Sequence, residues 1–339
     1  MKIGDIAAPY VLLLLRAAES HGADTDLLLA HVGLTPAQLR DPDCRIGLTD
    51  LMKLGALAIR QTGQPALGLH MSRLNRIADM GLPGLLAMTS PTLGAALDVL
   101  IRFEALNSRC YRGSSHFDAD QAQLQFYSIA PYNEYNCFVV DSILASWKTL
   151  TEWLTGETGL ISGVFIEFPA PAHKADYDAV FSAPVLFGQA GNRLLLKPHA
   201  TSLAVRQAEP LLHQQLLTLA QERMKRLNIA STFNGRVQNI LGPQLHGKTP
   251  TLEETADLLG MPDWTLRRKL KEEGTTFQAL LDAMRRDLAL GYMRDTQVSF
   301  GEVAYVLGFS TPGAFQRAFK RWTGETPGDY RRRIGLSAR

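Results

Sequence analysis

Apolar residues recur at every third or fourth position over most of this chain and alternate with polar ones in only a few short stretches. The first spacing predicts helices with one buried face, and the second predicts half-buried strands. Helices are expected over 7–20, 24–32 and 48–61, with Asp24 and Thr49 as caps, and a short one from Thr35-Pro36. Ser90-Pro91-Thr92 opens another that runs to about Ala105, with Leu93, Ala96, Leu97, Leu100 and Ile101 on one side. Alternation at 123–128 predicts a strand paired with 112–117. Helical spacing returns over 138–154, and 164–168 and 193–196 read as further strands between Pro- and Gly-rich turns. The expected product is an α+β domain with a small antiparallel sheet. A helix over 211–227 follows, with Leu212, Leu216, Leu219, Ala220, Met224 and Leu227 on one broad arc. That arc is wide enough to pack on its own domain or to meet a second copy, and both readings stand. From 233 onward the spacing is helical throughout.

This last region says one thing twice. The stretch 251–270 and the stretch 299–320 align with Leu252 on Phe300, Ala256 on Ala304 and Gly260 on Gly308. After a one-residue insertion in the second copy, Arg268 falls on Arg317 and Leu270 on Phe319. Each copy reads as a short helix, a glycine turn and a cationic second helix, the arrangement that lays a recognition helix in a DNA major groove. The alanines allow close approach of the two helices, and the glycines suit a turn with positive φ. In the first copy Trp264, Arg267, Arg268 and Lys271 share one face, opposite Leu266 and Leu270. In the second, Phe315, Phe319 and Trp322 form the buried side, while Gln316, Arg317, Lys320 and Arg321 point outward. Arginine pairs with guanine and glutamine with adenine in that groove. A single copy would still leave room for two ordinary amphipathic helices with solvated basic faces; two copies in register favour the reader.

The stretch of about 249–332 resembles the DNA-binding domain of the AraC/XylS family of bacterial transcription regulators. The resemblance is carried by Gly308-Phe309-Ser310, Phe315, Arg317, Phe319-Lys320, Gly324-Glu325-Thr326-Pro327 and Tyr330-Arg331. It implies an all-α domain of seven helices, in which a long helix over 276–295 joins the two helix-turn-helix units. Phe277, Leu280, Leu281, Met284, Leu288 and Met293 would face inward there. It also implies base contacts from Trp264, Arg267 and Arg268 in the first unit and from Gly313, Gln316 and Arg317 in the second. Lys271, further along its helix, would act through phosphate, and Lys320 completes the DNA-facing set. Two positions depart from the family pattern: Pro262 stands where a serine cap is usual, and Gly313 brings no side chain to a reading position.

The earlier residues resemble the arabinose-binding type of sensor domain found ahead of many such readers. Pro65-Ala66-Leu67-Gly68-Leu69, Met80-Gly81-Leu82-Pro83-Gly84 with Ser90-Pro91-Thr92-Leu93-Gly94, Tyr177-Asp178-Ala179-Val180-Phe181 and Val185-Leu186-Phe187-Gly188 carry it. These words read as structural, glycines and prolines at turns and aromatics in the core, and the sugar in the label says nothing of this chain's ligand. The organisation implied is an effector-sensing and dimerisation domain over 1–227, a linker over 228–232 and the double helix-turn-helix domain over 233–339. Its partners would be promoter DNA, a second copy, an unidentified small-molecule effector and, for an activator, RNA polymerase. Leu212, Leu216 and Leu219 are the candidate dimer contacts.

Composition narrows little more. Net charge is only +2; 228–339 carries 16 Lys+Arg against 12 Asp+Glu and the remainder 19 against 21, so the basic excess lies with the reader. Arg331-Arg332-Arg333 reads as a solvated tail. Cys44, Cys110 and Cys137 match no metal spacing or disulfide framework, and the histidines are scattered, so neither metal nor cofactor is expected. No nucleophile elbow, zinc-protease motif or phosphate loop occurs, and the expectation is a protein that is not an enzyme. An effector pocket could draw on Phe103, Tyr111, Phe126, Tyr127 or Tyr132. The run 11–15 is broken by Arg16 and reads as a buried helix turn instead of a signal peptide, and no window suits a membrane span, which points to the cytoplasm. Two rivals remain at this level: a ligand-independent regulator whose first domain only dimerises, and a sensor-linked DNA-repair transferase, for which no cysteine has a suitable setting.

Overall fold

A computed structural model describes residues 4–41, 43–110, 113–128, 132, 136–227, 233–245, 249–295 and 299–334. The chain forms two compact units, Gly4–Arg226 and Leu227–Arg339. The expected linker 228–232 lies outside the described residues, as do Tyr111 and Arg112.

In the first unit, β1 (Gly4–Ala7) leads into α1 (Ala8–Ser20), α2 (Thr25–His31) and α3 (Pro36–Leu39), then β2 (Arg45–Gly47) and α4 (Leu48–Thr62). Next come α5 (Leu67–Leu74), α6 (Gly81–Thr89), α7 (Leu93–Arg102), β3 (Ser108–Cys110), β4 (Ser114–Asp118) and β5 (Gln123–Tyr127). The unit ends with α8 (Cys137–Thr155), β6 (Ile161–Phe165), α9 (Lys174–Phe181), β7 (Val185–Leu186), β8 (Asn192–Leu196) and α10 (Pro210–Arg226). Local chemistry sets several starts: Asp24 accepts from the Leu27 amide, Thr35 and Gln38 form a reciprocal capping box, and Thr92 accepts from the Ala95 amide. Thr49 is not a cap, because it lies inside α4, which begins at Leu48 after Gly47.

The α+β class holds, with two sheets among the described strands in place of one. β2-β1-β3 is antiparallel; β4-β5-β8-β6-β7 is mixed, since β6 and β7 run parallel. Two of the supposed turn words are helical: Gly68 lies within α5 and Gly84 within α6. Both are places of close approach. A Cβ on Gly68 would stand 2.5 Å from the Phe138 carbonyl oxygen on α8, and one on Gly84 would stand 2.3 Å from that of Ile77. Leu124, Val140, Leu144, Val164, Tyr177, Phe181 and Leu194 fill the core between the larger sheet and its helices.

One face of α10 packs on its own unit: Ala220 is buried, and Leu216, Leu217 and Met224 are half-buried against the core. The other face is open, with Leu211, Leu212 and Leu219 at 79%, 41% and 42% exposure. The three leucines singled out for dimerisation are thereby divided, Leu216 turned inward and Leu212 and Leu219 outward.

The second unit is all-α. Its helices are α11 (Phe233–Gln244), α12 (Leu252–Leu258), α13 (Asp263–Glu272), α14 (Phe277–Asp295), α15 (Phe300–Val306), α16 (Pro312–Thr323) and α17 (Pro327–Arg333). The long α14 buries Leu280, Leu281, Met284, Leu288 and Met293, as the resemblance implies, while Phe277, expected inward as well, is half-buried. Arg331-Arg332-Arg333 is only partly the solvated run expected, since Arg332 and Arg333 are exposed and Arg331 is not. The run forms the last turn of α17, where Arg331 is buried with its guanidinium 4.7 Å from the centre of the Phe300 ring. Arg333 pairs with Glu325 at 2.7 Å, and Arg332 with Asp329.

Candidate nucleic-acid interface

The repeated sequence folds as a repeated structure. α12 and α15 both begin in capping boxes, Thr251 with Glu254 and Ser299 with Glu302. Hydrogen bonding to Ser299 holds the Glu302 carboxyl below its ordinary range. Both helices end in the same turn: the Met261 amide donates to the Ala256 carbonyl at 3.1 Å, and the Phe309 amide to that of Ala304 at 2.9 Å. Gly260 and Gly308 carry φ of 63° and 69°, a left-handed conformation that a side chain would strain. Ala256 and Ala304 are buried where a larger residue would push the paired helices apart.

The inserted residue enters after the second turn, so α13 and α16 correspond with an offset of 49 instead of 48. Pro262 then matches Thr311 as the residue before each helix. Thr311 caps α16 by accepting from the Ala314 amide, whereas α13 has no side-chain cap and keeps only Asp263 in its first turn. With this offset the buried faces coincide, Leu266 on Phe315 and Leu270 on Phe319, all fully buried. Trp322, expected to share that face, is half-buried against Phe309.

The opposite faces are open. On α13, Trp264, Arg267, Arg268 and Lys271 are all exposed, and on α16 Gln316, Arg317 and Lys320 are exposed beside the half-buried Gly313. Arg267 stands 3.7 Å from Asp263 and Arg268 2.8 Å from Glu272, both exposed pairs of the weak kind. Arg321 leans on Asp282 of α14 at 3.1 Å. Among the described residues no carboxylate pairs with Lys271, Arg317 or Lys320, which leaves these three cations available to an anion. Gly313 is not forced by crowding, since a Cβ there would meet Arg317 at an ordinary 3.6 Å.

Sequence reasoning missed the strut behind this surface. Arg285 of α14 is 6% exposed; it donates to the Leu307 carbonyl at 2.8 Å, to the Gly308 carbonyl at 3.0 Å and to Thr249 Oγ1 at 2.9 Å. Its guanidinium also lies 4.7 Å from the centre of the Phe309 ring. Thr249 in turn donates to the Gly308 carbonyl at 2.6 Å. A single buried cation thus joins the long helix, the approach to α12 and the second glycine turn. The signal was present: Arg285 sits four residues after Leu281 and three before Leu288, on the buried arc. Glu273 plays a smaller part of the same kind, accepting from the Phe233 and Asn234 amides at 2.6 and 2.9 Å and so holding the start of α11 to the end of α13.

Among the described residues no helix is long and apolar enough to cross a membrane. The arabinose-binding domain of AraC transcription regulators matches residues 22–205, and a helix-turn-helix domain matches residues 255–333. The chain is 28% identical to the ornithine utilization regulator of Pseudomonas aeruginosa, over 96% of both chains. It is 26% identical to the transcriptional regulator VqsM of the same species, over 78% of this chain and 83% of that one. The crystal structure of the transcriptional regulator CdpR, also from P. aeruginosa, is 22% identical and covers 94% of this chain and 97% of that one, with a TM-score of 0.42. The repeated helix-turn-helix and the sensor-type domain before it fit the two domain matches, and the chain belongs to the AraC family of transcription regulators, which bind DNA.

Proposed function

We propose that α13 and α16 are the two recognition helices of one reader and that residues 1–227 sense a small molecule and hold a second copy, with 228–232 as linker. The observation that carries this reading is the coincidence of buried faces with open, cation-bearing outer faces. Trp264, Arg267 and Arg268 would read bases in one groove segment, and Gln316 and Arg317, beside Gly313, in the next. Lys271 and Lys320 would meet phosphate. The chain would act in the cytoplasm by binding alone, with RNA polymerase as a further partner where it activates. Effector binding would favour one arrangement of the chain over another.

Two readers on one duplex face should stand about one helical turn, roughly 10 base pairs, apart. Hydroxyl-radical footprinting on a DNA site recovered by selection is expected to show two protected patches per subunit at that period. Protection confined to one groove segment would leave α16 a structural helix and overturn the reading.

The dimer contact belongs on the open face of α10. Leu212→Asp with Leu219→Asp should give a monomer that melts near the wild-type temperature, whereas Leu216→Asp should destabilise the unit, because an unpaired charge is costly to bury. Sedimentation alongside thermal melting decides this: a doubly substituted chain that stays dimeric places the contact elsewhere.

A further inference from the structure

The first unit holds a cavity of about 140 Å³ between α1, α4, α7, α8 and the strands β1 and β5. That is close to the size of a cavity known to hold one benzene ring. Its wall is mostly apolar, with Leu13, Leu51, Leu100, Ile143, Phe126 and Trp147 among its residues. Of the aromatics named from sequence, Phe126 lines it and Phe103, Tyr127 and Tyr132 do not, while Tyr111 lies outside the described residues.

Two carboxylates reach this wall, and no lysine, arginine or histidine does among the described lining residues. The carboxylates differ in their company. Asp79 is neutralised by Arg16 at 2.5 Å and Arg76 at 3.3 Å. Glu104 has no cation beside it among the described residues. Among the described residues its oxygens accept only from Ser115, one from the backbone amide at 2.9 Å and the other from the hydroxyl at 2.5 Å. Burial pushes its carboxyl up to about 7, while these two bonds favour the charged form. Each oxygen retains a lone pair for a further donor.

The geometry points to the occupant: we propose that this cavity is the effector site and that it takes a compact primary amine with an apolar body and no carboxylate. The inference rests on the reading that the first unit senses a small molecule. The ammonium would supply the missing counter-charge at Glu104, in a charge-assisted hydrogen bond. The apolar body would fill the space lined by Leu51, Ile143 and Trp147. An acid would meet Glu104 with no cation beside it among the described lining residues, so the same wall disfavours it. The position of Glu104 also gives the ligand a lever. It opens the short turn Glu104–Leu106, and α10 packs against that turn and against α6.

Titration calorimetry on the full chain with benzylamine, benzyl alcohol and benzoate, which match in size, tests the assignment. Benzylamine should bind once per chain, and benzoate at least about tenfold more weakly. Glu104→Gln, which keeps an oxygen for Ser115, should weaken benzylamine by about tenfold or more and leave benzyl alcohol unchanged. Should that variant fail to fold, the amine-to-acid ratio of the wild type still decides. Benzoate binding as well as benzylamine, undiminished benzylamine binding by the Glu104→Gln protein, or no benzylamine binding at all would each overturn the proposal. Anisotropy of a selected DNA site in the same titrations separates the two ideas. Alcohol or acid that shifts DNA binding while the amine does not would keep the sensor reading and sink the amine. Amine that binds through Glu104 and leaves DNA binding unchanged would keep the site and sink the sensor reading.

Discussion

Replacing Arg285 by methionine is expected to cost the second unit about 3 kcal/mol or more and to abolish measurable DNA binding. Hydrogen bonds to charged groups contribute about 1.5–3 kcal/mol each, and three are lost. The Leu307 and Gly308 carbonyls would lose the guanidinium that accompanies the second glycine turn, and methionine offers no donor to replace it. Burial already pulls the Arg285 pKa down, a sign that desolvation opposes this cation and that its partners must offset the cost. Arg285→Lys keeps the charge but not the forked donor, and should fall between wild type and methionine. Denaturant melting of the full chain, followed through the C-terminal tryptophans Trp264 and Trp322, checks the order. A methionine variant with wild-type midpoint and DNA affinity would show that the turn holds without the strut.

Arg267→Ala and Arg268→Ala should each lose about 1–3 kcal/mol at the matched DNA site and relax preference at one or two base pairs. Neither arginine is committed elsewhere, because the pairs with Asp263 and Glu272 are exposed and weak, so both can turn to a base at small cost. The protein's own stability should accordingly change little. Lys271→Ala should behave differently, weakening all sequences alike and reducing the salt dependence by about one counterion. Selection from random DNA distinguishes these outcomes. Two arginine variants that return the wild-type consensus would mean that this face does not read bases.

Much of this was legible because helical periodicity is a local signal. The extents of α1, α4, α8 and α10 follow from apolar spacing within a residue or two, the family resemblance placed α14, and the glycine-centred repeat located both helix-turn-helix units. What escaped depends on distant partners. β1 pairs with β3 through Gly4 and Cys110, so neither short strand has a reason to exist until the other is placed. α5 and α6 were hidden by glycine and proline, which usually mark turns. Yet Pro83 is only the third residue of α6, where an amide has no helical partner to lose, and Gly68 and Gly84 serve contact with a neighbour. The strand expected over 164–168 lies at Ile161–Phe165, because its bulged pairing with β8 sets the register and its own composition does not. The capping boxes at 251–254 and 299–302 were missed, although Thr-x-x-Glu and Ser-x-x-Glu are their signature. In the interface, sequence placed the outward side chains but not Arg285, since a charge on a buried arc makes sense only once its acceptors are known.

The two halves of the reader share their inner faces and, outside, keep Arg268 opposite Arg317 and Lys271 opposite Lys320 but differ elsewhere. Leu266 and Phe315 do the same work inside, while Trp264 has only Gly313 as its counterpart outside and Arg267 has Gln316. Substitutions outside can therefore accumulate in one half without disturbing the packing of either. The asymmetry also removes any mirror relation between the halves, so a single subunit should distinguish a binding site from its reversed copy. A regulator built this way would carry an arrow: it would know upstream from downstream before any second copy or polymerase arrived.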